Sequence, residues 1–245
     1  MKILKYKKIS KNKYKISFDN DETITLYDDV IINYNLLIKK EISEKELTNI
    51  LIDNEKYLSY DLALKYIDKK MRCEKEIVEY LRKKNIDNNK IEYTINKLRN
   101  NKLLNDKLYI DSYISDKFRI NKIGPNKIKK DLLKLGFSIY DIENGLSKIS
   151  NDEVQNLLDI LIDKKLKQNK SYGGNILRTK MISYFVNNGF YRKDVEKIIN
   201  TKNLNDINIY NSEYNKLYKK YSKKYTGYEL EMKIKGALFK KGLHK

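Results

Sequence analysis

The feature that most constrains this chain is a repeat of about fifty residues that returns each time to the same kind of helix end. Leu81-Arg82-Lys83-Lys84-Asn85-Ile86 matches Leu132-Leu133-Lys134-Leu135-Gly136-Phe137. It also matches Phe185-Val186-Asn187-Asn188-Gly189-Phe190 and Leu238-Phe239-Lys240-Lys241-Gly242-Leu243. The turn residues Asn85, Gly136, Gly189 and Gly242 stand 51, 53 and 53 positions apart. Asn and Gly are the residues that most readily take the left-handed conformation closing a helix, so the column has a backbone reason. Eight residues before each turn stand Ile77, Ile128, Met181 and Ile234, and four before stand Leu81, Leu132, Phe185 and Leu238. These positions share one helix face. Ile86, Phe137, Phe190 and Leu243 follow each turn and are expected to fold back onto that face.

The rest of each copy is helical too. Ile91 and Ile95, Ile142 and Leu146, and Val195 and Ile199 mark a helix after the turn with one apolar face. An opening helix carries Ala63, Tyr66, Ile67 and Met71 in the first copy and Ile110, Tyr113, Ile114 and Phe118 in the second. In the third it carries Val154, Leu157, Leu158, Leu161 and Ile162, and in the fourth Tyr214, Leu217, Tyr218 and Tyr221. The tyrosines on these stripes, Tyr66, Tyr113 and Tyr218, are expected in the core. Middle helices begin at Gly124-Pro125, where Pro suits the first helical position, and at the matching Gly173-Gly174 and Thr226-Gly227. In the first copy Cys73 fills that place as a substitute Ser cap, with Glu76 three residues on. Copies of helix, loop, helix, tight turn, helix bury their stripes against one another and against their neighbours. The expected product is an elongated, curved array, suited to lying along another long object. The fourth copy ends at Lys245 after two helices, either as a two-helix cap or as a shortened copy.

The N-terminal segment has a different period. Tyr14, Ile16 and Phe18 alternate with Lys13, Lys15 and Ser17, and Ile24 and Leu26 alternate with Thr23 and Thr25. With a weaker strand from Ile3 to Ile9, this reads as a three-stranded antiparallel meander over residues 3–27, too small to stand without helices beneath it. A short helix follows, opened by a Ser43/Glu46 capping box and carrying Leu47, Ile50 and Leu51 on one face. The expected organisation is therefore mainly α: 1–58 for the meander and short helix, then three-helix repeats over 59–106, 107–150 and 151–203, and an incomplete two-helix repeat over 204–245.

Composition sets the chemistry. With one His and one Cys among 245 residues, His-cluster and Cys-based metal sites and disulfide frameworks are excluded. No apolar run is long enough to span a membrane, and the start turns polar too soon for a signal peptide, so the expectation is a soluble cytoplasmic chain. No Gly-rich phosphate loop followed by Lys-Ser/Thr appears. A nuclease would have to use Asp106, Asp111 and Asp116, whose spacing of five puts them on different helix faces. Asp19, Asp21, Glu22, Asp28 and Asp29 read as solvated turn and strand-end carboxylates, not a metal cluster. The expectation is no catalytic residue, no metal and no cofactor. The net charge of +19 favours an anionic partner, although Lys, Asn, Ile and Tyr rise together as in AT-rich coding. Only six basic residues are Arg, so the charge suits backbone contact more than base reading.

The copies also carry a family resemblance. Leu104-Asn105-Asp106-Lys107-Leu108-Tyr109-Ile110-Asp111-Ser112-Tyr113-Ile114 resembles a stretch of the bacterial RecX regulatory proteins, and the likeness runs through Lys117-Phe118-Arg119 and Gly124-Pro125-Asn126-Lys127-Ile128 to Gly136-Phe137. Met71-Arg72-Cys73-Glu74-Lys75-Glu76-Ile77 looks like the family's first repeat, and Leu204-Asn205-Asp206 introduces the last copy. The N-terminal strands resemble the extra domain of the longer members. Cys73 stands where the family usually has Ser, Asn85 where it has Gly, and Leu135 where it has Lys. The resemblance implies a non-catalytic cytoplasmic modulator in recombination, DNA repair and the SOS response, which binds the RecA–single-stranded-DNA filament in its groove and inhibits the recombinase. Some members also bind DNA themselves, so single- or double-stranded DNA is a further expected partner. The alternative is a stand-alone nucleic-acid-binding helical repeat protein. Candidate contacts for either are Arg82, Lys83, Lys84, Arg119, Lys122, Lys127, Lys129, Lys130, Arg178 and Arg192, basic groups beside the repeat turns and loops.

Overall fold

A computed structural model describes residues 1–243. The chain forms two compact units that divide between Tyr109 and Ile110. The first opens with an antiparallel sheet of β1 (Ile3–Ser10), β2 (Lys13–Phe18) and β3 (Thr23–Tyr27), in that spatial order. The meander is therefore where the period-two alternation places it. Ile16 and Phe18 of β2 and Leu26 of β3 point into a core shared with Val30, Ile31 and Leu36. Two helices follow, α1 (Asp28–Asn33) and α2 (Glu44–Asp68). Asp28 and Asp29, read from the sequence as strand-end carboxylates, sit in the first turn of α1, where negative charge complements the helix dipole.

The short helix after Ser43 and the opening helix of the first repeat are one continuous 25-residue helix, α2, running unbroken through positions 58 and 59. Ser43 caps it by accepting from the Glu46 N–H at 3.2 Å, while the Glu46 carboxylate turns to Lys39 instead of closing the capping box. Ile50 of α2 lies in the sheet core and Ala63 in the next one. Leu51, expected on the apolar face, is exposed, and so is Met71, which lies beyond the helix end. One helix thus supplies the support that three short strands lack. The Asn54 side chain grips the edge strand on either side of Leu26: its Oδ1 accepts from Tyr27 N–H and its Nδ2 donates to the Thr25 carbonyl. The second core is closed by α3 (Glu74–Lys83) and α4 (Asn88–Asn100). Thr94 donates to Ser59 at 2.8 Å inside it.

The boundary falls within α5 (Asp106–Ser115); the second unit then holds a π-helical segment (Asp116–Ile120), α6 (Pro125–Lys134), α7 (Ile139–Leu146), α8 (Asn151–Gln168), α9 (Gly174–Asn187), α10 (Arg192–Ile199), α11 (Ile207–Tyr221) and α12 (Gly227–Phe239). The chain is mainly α-helical with one small antiparallel sheet.

The repeat columns are seen at atomic level. Asn85, Gly136, Gly189 and Gly242 all have positive φ, between 60° and 94°. At all four turns the next residue's N–H reaches back to the carbonyl of the −4 column: Ile86 to Leu81, Phe137 to Leu132, Phe190 to Phe185 and Leu243 to Leu238, at 3.0–3.3 Å. This is the helix-ending motif the spacing predicts, with the apolar residue after the turn folding onto the helix. All eight residues of the −8 and −4 columns are buried.

The turn glycines have a second role that the sequence did not announce. Gly124 N–H donates to the Asn188 carbonyl at 2.8 Å, and Asn126 N–H donates to the Gly189 carbonyl at 2.9 Å. The start of α6 therefore rests on the turn that ends α9. The start of α9 rests in the same way on the end of α12, with Gly173 N–H donating to the Lys241 carbonyl at 3.0 Å. A Cβ on Gly124 would lie 2.3 Å from the Gly189 carbonyl carbon, and one on Gly242 would lie 2.2 Å from the Gly173 oxygen. The backbones touch because neither side has a side chain.

Tyr218 departs from expectation. It is 47% exposed, while Leu217 and Glu213 form the buried line of α11. Among the described residues the fourth copy has α11 and α12. Tyr66 and Tyr113 are half-buried, Tyr66 stacking on Tyr80 at 4.1 Å. Glu213, 3% exposed, accepts from Lys216 at 2.7 Å and from Lys241, the residue whose carbonyl receives Gly173.

Two stability measurements follow. Gly136 and Gly189 share a turn geometry, but nothing lies within 4 Å of a Cβ at Gly136, whereas one at Gly189 would sit 2.6 Å from Lys127 N. Gly136→Ala should cost about 1–2 kcal/mol, the strain of a left-handed residue. Gly189→Ala should cost about 3–5 kcal/mol, because forced overlap adds to that strain; equal losses in urea unfolding would contradict the contact. Burial alone would raise the Glu213 carboxyl, but hydrogen bonds from Lys216 and Lys241 outweigh it and hold the group below the ordinary glutamate value of 4.5. A lowered folded pKa adds stability above that value, and the stability is lost as pH falls through the folded one. Glu213→Gln should therefore be less stable than the parent at neutral pH, and the gap should close in acid.

Candidate functional site

The ten basic candidates do not form one site. Arg82 and Lys83 end α3 and Lys84 caps it, all exposed in the first unit. Arg82 reaches Asn88 at 3.5 Å, and the Lys84 ammonium lies 5.9 Å from the Tyr80 ring centre. They lie there because basic residues in the last helical turn complement the dipole, which is a structural reason independent of any partner.

The other seven lie in the second unit, most of them where the start of α6 rests on the end of α9. Lys127 and Lys130 of α6 and Arg192 of α10 line one groove of about 530 Å³ with Lys134. Gly189 and Phe190 form part of its wall, and Asp131 is its carboxylate. The Arg192 guanidinium donates to Glu196 at 3.0 Å, an exposed pair that fixes its direction more than it stabilises the fold. Lys122 lines a second recess of about 290 Å³ with Lys164, Lys165 and Tyr184, whose ring centre lies 4.3 Å from the Lys165 ammonium. Lys129 lines a third of about 420 Å³, where it donates to Glu143 at 2.6 Å.

Arg119 and Lys122 lie at an irregular piece of backbone. Arg119 is inside the π-helical segment, and Lys122 just after it has a φ of 59°. The Lys122 ammonium donates to the Arg119 carbonyl, and Arg119 reaches Glu153 at 3.4 Å. Arg178, on α9, is held by two hydrogen bonds from its guanidinium to Asn200 Oδ1, both at 3.2 Å. Three of the candidates, Lys127, Lys130 and Arg192, thus share a groove. Sequence spacing did not signal that α6 and α10 would line one groove, because they are brought together through the contact of Gly124 with Gly189. Lys134, Lys164 and Lys165 were not singled out; as ordinary helix-face lysines they carried no distinguishing signal.

The acidic residues have separate structural tasks. Asp19 accepts from Lys2 N–H at 2.9 Å, Asp29 pairs with Lys97 at 3.6 Å, and Asp111 pairs with Lys148. Among the described residues no three His, Cys, Asp or Glu side chains are grouped to hold a metal ion, and no helix is long and apolar enough to cross a membrane.

Cys73 caps α3, its N–H donating to Glu76 Oε2 at 3.0 Å. Tyr109 donates to the same carboxylate oxygen at 3.1 Å. Burial pushes the Cys73 thiol above its ordinary range, with the Glu76 charge acting in the same direction. A thiol kept protonated and covered is a poor nucleophile.

Comparison with known proteins adds the following. A family model described as RecX, first three-helix domain, matches residues 60–98. A protein named regulatory protein RecX from Lactococcus lactis subsp. cremoris (strain SK11) is 33% identical over 253 residues, covering 98% of this chain and 93% of the relative. One of the same name from Streptococcus uberis is 29% identical and covers 98% of this chain and 95% of its own length. A crystal structure of regulatory protein RecX superposes with a TM-score of 0.71 at 24% identity, covering 81% of this chain and 98% of that one, a likeness of fold. A crystal structure of RecX from Lactobacillus salivarius gives 0.54 at 26% identity, covering 60% and 96%.

Cys73 is 3% exposed, so iodoacetamide should label it only as the fold opens. Its labelling rate should rise with urea along the unfolding curve, and rapid labelling of the native chain would contradict the buried-cap assignment.

Proposed function

This chain belongs to the RecX family of regulatory proteins, and from that premise we propose that it binds the RecA–single-stranded-DNA filament in the cytoplasm and inhibits or modulates recombinase action without chemistry of its own. The observation that carries the reading is the extent of the likeness to regulatory proteins, which runs through both units and nearly the whole chain. The groove of Lys127, Lys130, Lys134 and Arg192 is the element we assign to the filament, because it gathers basic groups from two copies over a shared backbone contact. Lysine and arginine there would meet acidic recombinase faces or exposed phosphates, an attraction strongest at low salt. The same Gly-to-turn contact occurs twice in the second unit, which supports stacking of the copies into a curved array able to follow a helical groove. Occupancy alone then blocks subunit motion, filament growth or entry of a second DNA.

The same basic groups also support the second reading, direct nucleic-acid binding without recombinase, which requires tight binding that weakens steeply with salt.

The test is the ATPase rate of RecA on single-stranded DNA. It should fall at substoichiometric amounts of this protein, and no fall at a one-to-one ratio would remove the proposal. A Lys127→Ala, Lys130→Ala, Arg192→Ala variant should need about tenfold more protein for the same inhibition, taking three surface charges, Lys127 half-buried and the other two exposed, at roughly 0.5 kcal/mol each.

A further inference from the structure

Residues 1–18 contain seven lysines and no acidic residue, the most one-sided charge in the chain's N-terminal unit, and the fold sorts part of it onto one surface. In the sheet, Tyr6, Ile16 and Ile24 lie opposite one another and pack on the core. The rows on either side of that one therefore point the other way. One row is Lys7, Lys15 and Thr25, and the other is Lys5, Ser17 and Thr23. Five of the six are exposed, and Ser17 is partly so. These two rows carry three ammonium groups and three hydroxyls; the remaining row of the same face, Lys13 and Tyr27, is turned to α2, with Tyr27 buried and donating to Asp61.

Lys7 and Lys15 are directly opposite each other across the β1–β2 ladder. Like charges in that relation repel and weaken a sheet, and a stabilising pair would place an acid there. No ion pair to Lys5, Lys7 or Lys15 is found among the described residues. The two exposed apolar residues of β1, Leu4 and Ile9, fall at its register shifts, outside the paired rows.

We propose that this sheet face is a docking surface for the phosphate backbone of double-stranded DNA. Charge complementarity selects a polyanion. A protein partner would need apolar or aromatic anchors to bury, and the two rows have none. A single strand would need exposed rings for its bases, and none of the six residues is aromatic. A duplex hides its bases and presents phosphates alone, which lysine points at without reading sequence. Ser and Thr hydroxyls can donate to the same oxygens. The inference extends the direct-binding reading and needs no recombinase, so it stands or falls apart from the filament.

The experiment is fluorescence anisotropy of the full chain with a labelled mixed-sequence duplex, titrated over a range of KCl concentrations with no recombinase present. The variant is Lys5→Gln, Lys7→Gln, Lys15→Gln, three exposed positions whose replacement leaves the core untouched; circular dichroism checks the fold. Removing three phosphate contacts should lower the slope of log K against log salt by about 2.7. The control, Lys219→Gln, Lys220→Gln, Lys223→Gln, removes the same net charge from α11 and its following turn and should leave the slope near that of the parent. A parent that binds no duplex overturns this inference, and one that binds neither duplex nor single strand overturns the direct-binding reading as well. A parent that binds with a slope the sheet variant does not change overturns the sheet site alone. An equal loss in the control assigns the effect to net charge and overturns it. Equally tight binding of a single strand, or of polyglutamate at matched salt, overturns the choice of duplex.

Discussion

The bare-backbone contact between the start of one middle helix and the turn ending the next is the constraint on which the second unit depends. At Gly124 and Gly189, and again at Gly173 and Gly242, a side chain on either partner would fall inside van der Waals distance of backbone atoms. The glycines let two helix ends exchange hydrogen bonds directly, satisfying groups that helix termini leave open. The basic groove inherits its shape from the contact, since Gly189 and Phe190 wall it and Lys127 packs against Gly189. Glu213, clamped by Lys216 and Lys241, steadies the turn on which Gly173 rests.

Much of the fold was legible because its signals are local. Alternation over Tyr14, Ile16 and Phe18 specified a strand, and the apolar columns around Asn85, Gly136, Gly189 and Gly242 specified helix ends with a definite hydrogen-bond pattern. What was not legible came from contacts between distant segments. The continuity of α2 through position 58 could not be read, because its two halves serve different cores and so carry different faces, Ile50 in one and Ala63 in the other. Tyr218 looked like a core residue because its stripe spacing is the same as in the other copies, but the buried line of α11 runs through Glu213 and Leu217 instead. The candidate site was half legible. Basic residues near the turns were the right class, but only the structure separates Lys127, Lys130 and Arg192, which converge, from Arg82, Lys83 and Lys84, which lie in the other unit.

The charge of +19 is thereby resolved into places. Part is spent in ordinary exposed ion pairs such as Arg192 with Glu196. Part lies over rings, as where the Lys97 ammonium sits 3.9 Å from the Tyr57 ring centre and 4.6 Å from that of Tyr60. The groove between α6 and α10 and the outer face of the sheet hold basic groups in excess of their acids, and each is built from a different kind of element.

The function proposed for this chain is recognition of an assembled filament by shape and charge. Co-sedimentation tests it most directly: the protein is spun with RecA on single-stranded DNA, with RecA lacking DNA, and with the DNA lacking RecA. Pelleting with the complete filament well above the other two mixtures is the result expected. A protein left in the supernatant with complete filaments, or pelleted equally by DNA alone, would contradict the account.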